Sequence, residues 1–381
     1  FEEGDVLDGY RVEGALPSRG SAEERYAVRA EGGGEATLVA GAQPFGNRRE
    51  RARFRELAAL RMHLEHPALL GVRAFGEAGD RPYFVTDPQP ARSLADVIAE
   101  EAPLEPERLV KLLAPVVEAL DLGHERGLVH QSLEPRSFLV DGRGRLLVDT
   151  FGLAGAGAGG AWKEADPEEL LYRSPEQLRS EQLAPAANVY ALAAVIVHAL
   201  SGEPAYGGGR TAIAYGHLVE PAPRMSDRVE ALGTKIDRVL RRAMTKDPLD
   251  RPDSARALVS AVASALGTKT RPPAPLRAEP EPAAAAPADE APTAPPGAAG
   301  AVTALSSLPL PAAPSERRGF RGALAAAAAV AAVCGGLLAA ALDPFGDEEQ
   351  PRAVPAASTA AWERLRERRT ELRGELAGAD T

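Results

Sequence analysis

Leu128-Val-His-Gln-Ser-Leu-Glu-Pro-Arg-Ser-Phe-Leu-Val140, followed by Leu147-Val-Asp-Thr-Phe-Gly-Leu-Ala154 and then Tyr172-Arg-Ser-Pro-Glu-Gln177, is the stretch that decides the fold. Two strand-like runs, Phe138-Leu-Val and Arg145-Leu-Leu-Val, flank Asp141-Gly142-Arg143-Gly144, which has the composition of a tight hairpin turn. Asp141 therefore reads as a turn residue and not as a catalyst. On the N-terminal side, Pro106 to Arg126 has helical periodicity. On the C-terminal side, Ala187 to Leu200 is apolar enough for a helix buried all round.

Working outward, the region before residue 92 changes character. Tyr10-Arg-Val-Glu, Thr37-Leu-Val-Ala and Tyr83-Phe-Val-Thr read as strands bracketing a helix from Arg49 to Leu64, and Ser93-Leu-Ala-Asp opens the next helix. The expected architecture is α+β: a small β-rich lobe carrying one helix (10–90), after a lead-in at 1–9, and a larger helical lobe (91–266). The chain has 381 residues, a net charge of −10 and a pI near 5.3, so no overall basic field favours nucleic acid as a partner. The single cysteine, Cys334, excludes an intrachain disulfide and a thiolate metal cluster.

Beyond residue 266 a Pro/Ala-rich linker (267–319) leads to Gly322–Leu342, 21 residues without a charge. At 1.5 Å per residue this crosses a hydrocarbon core of ~30 Å, although alanine contributes little to insertion. Arg317, Arg318 and Arg321 precede the span, and Asp343, Asp347, Glu348 and Glu349 follow it. The expectation is a single-pass membrane protein with its large domain in the cytoplasm and a short extracytoplasmic tail at 343–381. The opening Phe-Glu-Glu-Gly-Asp has no signal-peptide features.

The three quoted stretches resemble, in order and spacing, the catalytic loop, magnesium loop and activation-segment end of bacterial serine/threonine protein kinases of the Hanks type. His66-Pro67, Ala187-Asn-Val-Tyr-Ala-Leu and Lys246-Asp-Pro-Leu-Asp-Arg-Pro extend the resemblance over roughly 10–265. It implies a two-lobed fold that moves the γ-phosphoryl group of ATP to a hydroxyl, chiefly by positioning charge.

Position by position, the residues that the resemblance assigns to phosphate handling are replaced. The Gly-rich loop reads Leu16-Pro-Ser-Arg-Gly-Ser-Ala-Glu, with only Gly20 surviving. The third-strand lysine falls on Val39, and no lysine precedes Lys111. Its partner glutamate falls on Leu57; Glu56 beside it lies about 100° around the helix. His-Arg-Asp becomes His130-Gln131-Ser132, so a serine stands where the base would be. Glu134 replaces a lysine that would steady the γ-phosphate, and two like charges near 4 Å repel by about 4 kcal/mol at an effective dielectric of 20. Ser137 replaces the metal-holding asparagine. Asp-Phe-Gly becomes Thr150-Phe151-Gly152 with Asp149 one place early. If Thr150 is an insertion, Asp149 reaches a metal; if the strand register holds, alternation turns it to the opposite face.

The retained residues are scaffolding: His130, Phe151, Glu176, Arg251, and Asn188 in place of an anchoring aspartate. The resemblance pairs Glu176 with Arg251. From Phe151 to Arg173 there is no Ser or Thr, so Tyr172 is the sole hydroxyl for activation-segment phosphorylation. In the hinge, the Asp87 carbonyl and Gln89 N–H are the backbone groups that read adenine in relatives. The expected function is thus a membrane-anchored degenerate kinase domain that regulates or scaffolds signalling by binding a cytoplasmic protein, an active kinase among the candidates, with no cofactor required. Two alternatives stay open: an atypical active kinase using ATP and magnesium through Asp149, and a non-catalytic ATP-binding switch.

Overall fold

The computed structural model describes residues 1–155 and 167–268. Strands β1 (Val6–Leu7), β2 (Tyr10–Leu16), β3 (Glu23–Ala30) and β4 (Glu35–Gly41) precede helix α1 (Arg48–Met62), and β5 (Val72–Ala78) and β6 (Arg81–Thr86) follow it. The six strands make one antiparallel sheet in the order β1-β2-β3-β4-β6-β5. Period-two alternation sorts β4 between two apolar clusters. Ala36, Leu38 and Ala40 pack with Val12, Val28 and Tyr83 on one face, while Val39 faces α1 with Phe54, Leu57 and Phe84 on the other. Helix α1 starts where Asn47 Oδ1 accepts the N–H groups of Arg49 and Glu50, both at 3.0 Å.

The helical lobe opens with α2 (Leu94–Glu101), whose first turn is closed by the Ser93 N–H and hydroxyl on Asp96 at 2.7 Å. Helix α3 (Pro106–Glu125) then leads into the hairpin β7 (Phe138–Val140) and β8 (Leu146–Val148). As read from the sequence, Asp141 is the turn residue: its Oδ1 accepts from the N–H of Arg143 at 2.9 Å and of Arg145 at 2.8 Å. Short helices α4 (Pro167–Leu170) and α5 (Pro175–Leu178) are followed by α6 (Pro185–Ser201), buried on all sides and ended by Gly202 at φ 77°. The lobe closes with α7 (Arg210–Leu218), α8 (Met225–Arg228), α9 (Thr234–Ala243) and α10 (Ala255–Leu266). Asp121 on α3 accepts from the first N–H groups of α10 at 2.9 and 3.0 Å, joining those two helices.

The Pro/Ala-rich linker from residue 269, the 322–342 span and the 343–381 tail lie outside the described residues. Among the described residues no helix is long and apolar enough to cross a membrane.

One buried ion pair fastens the centre of the helical lobe. Arg251 Nη1 and Nη2 donate to the two Glu176 oxygens at 2.7 and 2.9 Å, and both side chains are almost fully buried. The guanidinium also donates to the carbonyls of Ala186, Thr245 and Lys246. Removing one partner strands the other charge in the interior, so Arg251→Ala is expected to lower the unfolding free energy by ~3–5 kcal/mol. Urea denaturation with an unchanged m-value measures this; a loss under ~1 kcal/mol would mean that water reaches the pair.

Candidate active site in the inter-lobe cleft

The cleft lies between the β2–β3 loop above and the Val129–Ser137 loop below. The loop below is held from beneath by Asn188 on α6. Its Oδ1 accepts from the His130 N–H at 2.9 Å and lies 2.8 Å from His124 Nε2, and its Nδ2 donates to the His130 carbonyl at 2.8 Å. The His130 ring is fully buried and tilted over Phe151, with centroids 5.5 Å apart. Its Nδ1 accepts from the Ser132 N–H at 3.2 Å, which leaves Nε2–H to donate to Asp149 Oδ1 at 3.0 Å.

Asp149 corrects the expectation from alternation. Alternation does persist, since Val148 and Thr150 are buried and Asp149 between them is partly exposed, but the cleft lies on the Asp149 side. Thr150 is the residue turned into the core. The chain reverses at Phe151, whose φ of 63° is unusual for an aromatic, and at Gly152, φ 62°. This turn brings the Phe151 N–H to Asp149 Oδ1 at 2.8 Å. The carboxylate thus faces the cleft with Oδ1 held by two donors, while its Oδ2 accepts no hydrogen bond among the described residues.

The other positions that the resemblance assigns to phosphate or metal are mostly packed or bonded within the protein. Val39 is 1% exposed within the α1 cluster. Its burial contributes roughly 1.5–3 kcal/mol of apolar stabilisation, where an ammonium would be an uncompensated charge. Leu57 is buried beside it, and Glu56 points outward to Arg53 at 3.1 Å. Ser137 is buried; its hydroxyl donates to the Ser132 carbonyl at 3.1 Å and accepts from the Glu134 N–H at 3.3 Å, bracing the loop. Ser132 is exposed. Tyr172 is buried with its hydroxyl 2.7 Å from His198 Nδ1.

At the hinge the adenine-reading groups are engaged internally. The Gln89 N–H donates to Thr37 Oγ1 at 3.0 Å, and the Asp87 carbonyl accepts from the Thr86 hydroxyl at 2.9 Å. Arg19 crosses from the β2–β3 loop to donate to Gln89 Oε1 at 3.3 Å and to the Pro90 carbonyl. Burial and the nearby Arg25 bring its pKa down to about 10. Gly20, next in the loop, meets nothing that a Cβ would strike. The loop is closed onto α4 by the Ser21 hydroxyl on Glu169, and Arg136 meets Glu168 at 2.7 Å. These residues border a cavity of about 400 Å³ at the cleft mouth. A larger one of about 530 Å³ lies elsewhere, between α3 and the β7–β8 turn, and has no part in the cleft.

Three carboxylates share the cleft. Burial, then Asp149, pushes Glu23 up to about 8; burial, then Asp149 and Glu169 against the pull of Arg136, pushes Glu134 up to about 7. Burial thus favours the neutral form of Glu134, which weakens the repulsion expected from its charge. Among the described residues no cluster of three His, Cys, Asp or Glu side chains has metal-binding geometry.

Thr37 and Arg61 were not singled out by the sequence, and Arg19 stands there only as a bulky residue in place of a flexible loop glycine. Arg61 had a signal: with Phe54, Leu57 and Ala58 it completes the apolar stripe of α1, so it is a cation at a core position. Its guanidinium lies 5.8 Å over the Phe151 ring. The reach of Arg19, across 70 residues to Gln89, had no local signature.

A twisted antiparallel sheet with one helix, a helical lobe, and between them a hinge, a loop anchored from below and a hairpin followed by Phe-Gly define the protein-kinase class of domain. Residues 42–262, more than half of the chain, match the protein kinase domain family, and the chain belongs to it, among the bacterial serine/threonine kinase-like proteins. It is similar to serine/threonine-protein kinase PknB of Mycobacterium tuberculosis, 31% identical over 212 residues, covering 53% of this chain and 34% of the relative. It is likewise similar to PknJ of Mycobacterium bovis, 31% identical over 273 residues, covering 69% of this chain and 46% of the relative. PknB of Mycolicibacterium smegmatis is 30% identical over 212 residues, with 53% of this chain and 34% of the relative covered. The chain spans less than half the length of these curated relatives.

The raised carboxyls fix a sign for the pH dependence. A carboxyl whose folded pKa exceeds its unfolded value near 4.5 binds its proton more tightly when folded, so stability falls as pH rises from about 4.5 through about 7 to 8. Glu134→Gln removes part of this, and its melting temperature is expected to decline less than wild type between pH 5 and 8. Parallel melting curves across that range would show that Glu134 titrates normally.

Proposed function

We propose that this kinase-family domain does not transfer phosphate and acts as a regulator or scaffold that binds a cytoplasmic protein, an active kinase being one candidate. The observation that carries this reading is the hinge: Thr37 takes the Gln89 N–H and Arg19 lies against Gln89 and Pro90. Adenine would have to displace both. Buried Val39, exposed Ser132 and the loop-bracing Ser137 support the same reading, because each sits where the family places a group that handles phosphate or metal. No cofactor is required. The 322–342 segment would hold the domain at the inner face of the membrane, and the linker would give it reach.

A second reading is favoured by the position of Asp149 and by the relatives, each named as a serine/threonine-protein kinase. In it ATP and magnesium enter the cleft, and Asp149 Oδ2 takes the metal. A non-catalytic ATP switch would use the same entry.

Thermal unfolding of the full chain with millimolar ATP, alone and with magnesium or manganese, separates these readings. The expected result is no shift. A reproducible stabilisation would establish binding to the folded state, and transfer of labelled phosphate that disappears in Asp149→Ala would establish the kinase reading in place of ours.

A further inference from the structure

Arg61 and Arg251 are the largest fully buried side chains, each 1% exposed. Arg251 has a carboxylate partner. Arg61 has none within ion-pair distance among the described residues, and its Nε meets no acceptor. An isolated guanidinium is costly to bury, so its place in an otherwise apolar helix stripe calls for a physical reason.

The reason lies in what the fork joins. Nη1 donates to the Leu64 carbonyl at 3.5 Å, just beyond its own helix, and Nη2 donates to the Leu70 carbonyl before β5 and to the Asp149 carbonyl at 3.3 Å. The last contact crosses from the small lobe to the large one, beside backbone pairs from the Leu70 N–H to the Val148 carbonyl at 2.9 Å and from the Val148 N–H to the Ala68 carbonyl at 2.8 Å, and it adds helix α1 to that seam. Other α1 side chains with hydrogen bonds, such as Arg51 to Asp80 and Arg55 to Glu77, stay within the small lobe. The packing of Val39 on Leu57 is apolar and carries no directional constraint. Phe151, beneath the guanidinium, rests in turn on His130. His130 is held in turn by Asn188 on α6.

We infer that Arg61 is a built-in tether that fixes helix α1 to the Asp149–Gly152 loop, so that the setting of the two lobes is held by the chain itself and not by a bound molecule. The tether goes beyond the proposed function, since its contacts lie behind the cleft and do not touch the hinge. Lysine cannot replace it, because a single ammonium lacks the planar fork that spans separated carbonyls.

Amide hydrogen exchange on the full chain tests this with wild type, Arg61→Lys and Arg61→Leu. Both variants are expected to exchange at least about tenfold faster over 64–72 and 145–152, with α9 and α10 unchanged. Wild-type rates in those two segments are expected to be the same with and without ATP and magnesium. Wild-type protection retained in Arg61→Leu would make Arg61 a space-filler and overturn the tether, as would strong added protection of the wild type by nucleotide. Should neither variant fold, wild-type exchange in rising urea decides: helix α1 and 145–152 open at one denaturant concentration if tethered, and at separate ones if the inference is wrong.

Discussion

The amide of Asn188 carries the cleft. Its two ends hold the N–H and carbonyl of His130 from below, and every feature above that point depends on where His130 sits: the ring under Phe151, the proton given to Asp149, and the Ser132 N–H returned to Nδ1. An amide can do this with one donor group and one acceptor group in a site where a carboxylate would bring a charge. The geometry of a kinase catalytic loop is thereby kept by neutral hydrogen bonds, independent of the charges that such a loop positions in the family.

A common pattern connects the altered positions. Val39 fills the core, Ser137 braces a loop, Thr37 occupies a hinge donor and Arg19 lies across the hinge. At these four places a group that would face nucleotide or metal in the family is packed or hydrogen-bonded within the protein. Asp149 differs, since it keeps an oxygen toward the cleft among raised carboxyls, and it is where chemistry would begin if the cleft admitted a cation.

Much of the fold was legible because its signals are local. Asp141-Gly-Arg-Gly announced the hairpin, Ser93 the start of α2, and the apolar run around Val195 the buried helix. The site was legible where ordered motifs mark it and illegible where side chains cross long stretches of chain. Which face of β8 the cleft would occupy could not be read from alternation, because alternation assigns opposite faces without saying which is inside. The left-handed turn at Phe151 settles that, and it depends on the packing of His130, Gly123 and Arg61 around one ring. The raised carboxyls of Glu23 and Glu134 likewise follow from three residues distant in sequence meeting in one partly buried space.

Val39 has a consequence for redesign. A lysine placed at that position alone would push an ammonium into the packing of Phe54, Leu57 and Phe84, with Leu57 unable to answer it and Thr37 and Arg19 still on the hinge. At Val39 a step toward the family pattern therefore costs stability before any gain in chemistry. A change at this one position would have to bring its neighbours with it, as a key cut for one lock cannot be refiled at a single tooth.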